Sequence, residues 1–225
     1  MTKTMAFFLI ILALIVGGGI SYFASTQMSP EASTPMTPTV ATVTGVSAKS
    51  VALHSAMRKL WEEHIVWTRL AILAIVDNVP GKDEAITRLL KNYYDMSAAL
   101  TPYYGAQAAD AFGLLMKDHL TIAAELVTAA KAKDAAKSAN AEKRWYANAD
   151  ALATFLSTAN PTSWPKDAMT AMLKDHLVLT KQEAVDRITK NYKDDVANFD
   201  NIHGQALMMA DGLSDGIVKQ FPEKF

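Results

Sequence analysis

The fold is decided by a short stretch that the chain carries twice. Residues 114–121 read LLMKDHLT, and residues 172–180 read MLKDHLVLT. Each copy places a histidine, His119 or His176, among apolar residues that recur every three or four positions. Because an α-helix has 3.6 residues per turn, these apolar residues form one stripe along a helix. Each copy therefore predicts an amphipathic helix whose core-facing side carries a histidine.

The same period continues through residues 48–225. Helix-breaking residues occur only between periodic stretches, as in NVPG at 78–81 and around Pro102 and Gly105. Alanine is abundant and runs of β-branched residues are scarce, which favours helix. Short connections favour antiparallel neighbours. We therefore predict an all-α domain, an antiparallel up-and-down bundle of five or six helices with ferritin- or hemerythrin-like architecture.

The first 47 residues divide into two parts. Residues 5–24 are apolar and uncharged, and they are long enough to span a bilayer. Lys3 precedes them and Lys49 is the next basic residue, so the N-terminus is expected in the cytoplasm. We predict that residues 1–24 form a single-pass anchor in the inner (cytoplasmic) membrane, with the bundle on the periplasmic or extracellular side. A cleaved signal peptide is the alternative. Residues 25–47, rich in Ser, Thr and Pro, are typical of an extended tether.

Composition excludes several classes of function. The net charge is -1 and no basic patch occurs, which makes nucleic acid an unlikely partner. The chain has no cysteine, which excludes disulfides, thiolate metal sites and a cysteine nucleophile. Phosphate-binding glycine loops, Gly-x-Ser-x-Gly and His-Glu-x-x-His are absent from the sequence. No catalytic motif therefore points to an enzyme, and the sequence names no protein partner.

Polar residues recur along the periodic part at nearly constant intervals of 27 to 29 residues. An up-and-down chain passes the middle of the bundle once per helix, so residues spaced in this way are expected to share one layer. Four of the five histidines fall on these positions. The six positions are His64, Asn92, His119, Asn148, His176 and His203.

Buried imidazoles need partners for their nitrogens, and imidazole is the commonest protein ligand of transition metals. We predict a site for Zn, Cu, Fe or Mn with His64, His119, His176 and His203 as ligands. The alternative is an interaction or ligand-sensing module whose histidines are structural, since the ferritin-type Glu-x-x-His pair is missing. The residues expected to support the ligands or add to them are Glu63, Asp118, Asn148, Asp175 and Asp200.

Longer segments carry a resemblance to a known family. The stretches LWEEHIVWTR (60–69), RLLKNYYDMSAALTPYYG (88–105) and RWYANADALATFLSTANP (144–161) are examples. Together with the histidine segments and the C-terminal 27 residues, they resemble an uncharacterised family of bacterial all-helical proteins. Its members often carry automatic labels such as glycosyltransferase or acetylglutamate kinase, but the nucleotide-binding patterns of those folds do not occur in this sequence. The resemblance implies a helical fold without an established activity.

Overall fold

A computed structural model describes residues 47–225, and all regular secondary structure in this part of the chain is helical. The predicted all-α bundle is thereby confirmed. The predicted membrane anchor and almost all of the tether lie outside the described residues. Within residues 47–225, no helix combines the length and the apolar character needed to cross a membrane. The elements are α1 (Ala48–Asp77), α2 (Lys82–Lys131), α3 (Ala135–Ala159), α4 (Lys166–Ile188), α5 (Tyr192–Gln220) and a 3₁₀ turn (Pro222–Lys224).

Local side-chain chemistry sets the helix ends. The hydroxyl of Ser47 accepts a hydrogen bond from the Ser50 amide at 3.0 Å and caps the start of α1. Asn78 ends α1 in the left-handed conformation, with φ of 54°. The Asp134 carboxylate accepts from the Lys137 amide at 3.0 Å and caps α3. These caps mark the starts of α1 and α3 and the end of α1.

Helix α2 is bent back on itself at Gly105. This glycine has φ of 79° and ψ of 167°, a conformation that side chains disfavour, and Pro102 precedes it by one turn. The two arms, 82–104 and 106–131, pack against each other. The Ser97 hydroxyl of the first arm donates to the Ala109 carbonyl of the second at 2.7 Å. The domain therefore has six helical segments in an up-and-down order, as the break at Pro102 and Gly105 predicts.

Three of the six segments run in one direction, namely α1, the second arm of α2, and α4. The other three, the first arm of α2, α3 and α5, return antiparallel to them. Large apolar side chains fill the half of the bundle near the start of α1, where Trp61 and Trp164 are almost completely buried. A layer of polar side chains crosses the middle of the bundle, and a cavity lies beyond it.

A buried ion network joins three helices near the far end of the bundle. Arg69 of α1 contacts the carboxylates of Glu183 on α4, at 2.5 Å, and Asp195 on α5, at 2.8 Å. Both carboxylates are almost fully buried. Burial raises the pKa of Glu183 to about 7, against the opposing effect of Arg69. Two carboxylates that share one cation fix the relative positions of α1, α4 and α5.

Candidate metal centre

His64, His119 and His176 meet in the polar layer, one from each of the three parallel segments. Their exposed fractions are 2%, 4% and 3%. The ring centroids are 6.0 Å apart for His64 and His119, 5.6 Å for His64 and His176, and 6.3 Å for His119 and His176. Ring nitrogens of the three lie within 4.8 Å of one another. The three rings thus form a nearly equilateral triangle in the interior.

Each ring is held by the side-chain amide of a residue on the following antiparallel segment. In each case the Nδ1 atom of the ring faces the oxygen of the amide. The distances are 3.2 Å for His64 and Asn92, 3.1 Å for His119 and Asn148, and 2.9 Å for His176 and Gln205.

The same amide also donates from its nitrogen to a backbone carbonyl, always that of the residue four positions before the histidine. A carbonyl can only accept, so the amide nitrogen must face it and the amide oxygen must face the ring. The ring Nδ1 therefore carries the proton. The three bonds join Asn92 to Leu60 at 3.0 Å, Asn148 to Leu115 at 2.9 Å, and Gln205 to Met172 at 2.9 Å.

The repeated bond pattern fixes one tautomer for all three histidines. With the proton on Nδ1, each Nε2 keeps an unshared electron pair that is free to bind a metal. A point equidistant from three atoms 4.8 Å apart lies about 2.8 Å from each, while zinc–imidazole bonds are about 2.0–2.1 Å. Each ring would thus move inward by less than about 1 Å to hold an ion.

Electrostatics keep the three rings neutral. Burial, together with the smaller effect of the neighbouring His176, lowers the pKa of His119 to about 3. Burial also lowers the pKa of His64 and of His176 below the ordinary value, and the two neighbouring rings reinforce the shift at His64. The neutral imidazole is the form that binds metal, so at neutral pH no proton needs to leave before binding.

Two indoles flank the cluster with unused hydrogen-bond donors. Trp61 packs edge-on against His64, with ring centroids 5.5 Å apart, on the side of the apolar core. Trp145 lies 5.5 Å from the His119 ring on the side of the cavity. Both indole N–H groups are buried, and neither finds an acceptor among residues 47–225. The two indoles thus border the histidine triangle with N–H groups that no residue of this part of the chain uses.

The predicted fourth histidine does not join the cluster. His203 is partly exposed, and its Nε2 pairs with Glu62 at 3.1 Å on the surface. The residue of α5 that reaches the layer is Gln205, two residues after His203. Two residues correspond to about 200° of rotation around a helix, so His203 lies on nearly the opposite side of α5. The four-histidine layer is therefore corrected to a three-histidine cluster in which Gln205 occupies the position expected for His203.

The other predicted supporting residues have different positions. Asn148 lies in the layer, but as the partner of His119 Nδ1. Glu63 pairs with Arg88 at 3.1 Å away from the histidines. The three predicted aspartates, Asp118, Asp175 and Asp200, are exposed and do not reach the cluster. Asp118 and Asp175 each precede a buried histidine and are turned about 100° away from it, whereas Asp200 lies on the same outward side of α5 as His203.

Sequence reasoning missed Gln205 and a third copy of the histidine segment. LWEEHIVWT at 60–68 aligns with LMKDHLTIA at 115–123 and MLKDHLVLT at 172–180, with the histidine at the fifth position of each. The amide follows its histidine by 28 or 29 residues in every copy. This constant offset is the signal that identifies Gln205 in the sequence.

Comparison with models of protein families, with curated proteins and with solved structures gives no match for this chain.

Proposed function

We propose that this protein binds one transition-metal ion through the Nε2 atoms of His64, His119 and His176. The observation that carries the proposal is the hydrogen-bonded amide behind each ring. It gives all three histidines the tautomer whose Nε2 is free to bind a metal. One ring nitrogen of each histidine lies within 4.8 Å of the other two, so a single cation can be shared by all three rings.

The donor set favours certain metals. Three neutral imidazoles suit zinc, copper and iron, whereas manganese, magnesium and calcium prefer carboxylate and carbonyl oxygens. Exposed Asp118 and Asp175 do not supply such oxygens to the cluster. Three protein ligands leave a tetrahedral ion with an open position, which is typical of sites that act on a bound molecule and not of closed structural sites. We assign the centre to the binding of an exogenous ligand at the metal.

We propose that this metal-binding bundle is anchored outside the cytoplasm. The support is the apolar run at 5–24, the single preceding charge at Lys3 and the proline-containing tether at 25–47. A ligand set without cysteine is also indifferent to an oxidising compartment, where thiolate ligands would be lost to disulfide formation.

The test is metal analysis of the full chain, purified in mild detergent without a polyhistidine tag. We expect about one zinc, copper or iron per chain, and a melting temperature that falls on chelation. The His119→Gln variant removes one ligand and should lose the metal. The His203→Gln variant removes a histidine of the surface and should keep it.

Metal-free protein whose melting is unmoved by added zinc, copper or iron would refute the proposal. The histidines would then be core residues of a binding module without metal. Equal metal loss in the His119 and His203 variants would also contradict the three-ligand assignment, because only the first histidine lies in the cluster.

A further inference from the structure

The histidine triangle forms one end of an internal cavity of about 130 Å³. The cavity runs from the three rings towards the C-terminal ends of α1, the second arm of α2, and α4. Its wall consists mainly of apolar side chains that follow the histidines on these segments, such as Ile72, Val127 and Ala184. Trp145 of α3 also lines it. Any ion held by the rings would therefore face this space.

The size and lining of the cavity define what it can hold. Apolar cavities of about 150 Å³ stay free of water and take up benzene or xenon. A cavity of 130 Å³ accommodates a molecule of up to about six heavy atoms with an apolar surface. Charged ligands are disfavoured, because their desolvation would not be compensated by such a wall.

The indole of Trp145 forms part of the wall beside His119, with ring centroids 5.5 Å apart. Its N–H is buried and closed off from the cavity. The polar contact that a ligand can make at this end of the cavity is therefore with the histidine centre.

We propose that the cavity binds a small uncharged molecule with an apolar body and a single ligating atom directed at the metal. The inference rests on the proposed metal site, because the ligating atom completes the open coordination position. The closed side of the triangle is occupied by Trp61 and the dense core, so the cavity is the side from which the metal is reached.

The partly exposed part of the cavity wall lies between α3 and α4. The charged residues of the cavity wall, Glu142 on α3 and Lys181 on α4, form an ion pair there and are both partly exposed. An uncharged molecule passes such a pair without being bound by it, and the apolar interior beyond retains it. The ion pair therefore disfavours ions, and the apolar wall of the cavity disfavours them as well.

The experiment uses the full chain in detergent with ¹⁵N-labelled tryptophan, and its probes are benzene and pyridine. The two molecules have the same shape, but only pyridine has an acceptor and ligating atom. The indole N–H resonance of Trp145, assigned with the Trp145→Phe variant, reports on the cavity even though both probes also enter micelles. We expect both probes to shift this resonance in a saturable way in the metal-free protein.

Cavity-filling variants provide the specificity control. Ala123→Leu places three further carbon atoms in the cavity and should weaken benzene binding by about tenfold or more. Ala130→Leu fills the outer part of the cavity and serves as the test variant if Ala123→Leu does not fold. Ala111→Leu adds the same atoms on the exposed face of the same arm and should leave binding unchanged.

Cobalt-loaded protein separates the two proposals. Pyridine should change the visible spectrum of the bound cobalt, and benzene should not, because only pyridine ligates the ion. If benzene fails to shift the Trp145 resonance in the metal-free protein, but the protein does bind cobalt, the cavity proposal alone is overturned. Benzene binding without any effect of pyridine on bound cobalt would overturn the placement of the ligand at the metal. Failure to bind cobalt would refute the metal site, and with it the role of the ligand there.

Discussion

Acidification of the metal-free protein should destabilise the bundle through the three buried histidines. Each ring has its pKa lowered in the folded state by burial, whereas in the unfolded chain it titrates near 6.5. The unfolded state therefore binds more protons below pH 6.5. The stability that the neutral rings contribute is fully present above pH 6.5 and is lost as the pH falls towards the folded-state values.

The size of the effect follows from the shifts. His119, with a folded pKa of about 3, loses about 2 kcal/mol between pH 6.5 and 5 at 1.36 kcal/mol per pH unit. The lowered pKa values of His64 and His176 add to this loss in the same direction. Glu183 acts in the opposite direction, because its folded pKa is raised to about 7 and its stabilisation is regained as the pH falls. One carboxyl returns at most about 2 kcal/mol over this range, which is about what His119 loses, so the losses at His64 and His176 decide the sign.

The assay is urea unfolding of chelator-treated protein in detergent, at about pH 7.5, 6.5, 5.5 and 5.0. We expect a net loss of stability from pH 6.5 to 5, because His64 and His176 add to the loss at His119 while Glu183 offsets about one ring. His119→Gln should make the slope shallower by about 1.4 kcal/mol per pH unit, and His203→Gln should not change it. A slope insensitive to His119→Gln, or stability that rises on acidification in Glu183→Gln, would refute the reasoning.

Three further predictions concern the amide partners, the packing of α5 and the anchor. Asn148→Leu removes the bond to a ligand histidine and should weaken metal binding about 10- to 100-fold in a competition titration, whereas Asn201→Leu on the exposed side of α5 should not. Gly216→Ala would place a methyl group 2.1 Å from an indole nitrogen and should cost about 2–3 kcal/mol in urea unfolding, whereas Gly204→Ala, with open space around it, should stabilise α5 by about 0.5–1 kcal/mol. Protease added to intact spheroplasts should remove the bundle if residues 5–24 anchor it outside; complete protection would contradict that topology.

The breaks at 78–81 and 102–105 and the height of the polar layer could be predicted from the sequence because both depend on local chemistry. Asn78 and Gly105 are residue types that end or bend helices wherever they occur. Regular spacing places residues at one height in an up-and-down bundle, and this brought His64 and His119 into the predicted layer.

Rotation about each helix axis could not be predicted in the same way. The spacing of 27 residues gives His203 the right height on α5, but the face of α5 that turns inward depends on how it packs against α1 and α4. Packing turns Gln205 inward and leaves His203 beside Glu62. The cavity was also beyond reach, since a gap of 130 Å³ arises from how several helices fit together and not from any one of them.

The repetition of one helical hairpin accounts for the composition of the site. Each hairpin supplies a histidine on its first segment and an amide on its second, with the amide locked to the carbonyl one turn before the histidine. Three hairpins around one axis thus give three identical neutral donors and no carboxylate. An ion bound there would keep its full charge and would lack a fourth protein ligand. The open coordination position of the ion would face the apolar cavity. A molecule that fills this position therefore has to be small and has to come from outside the polar layer.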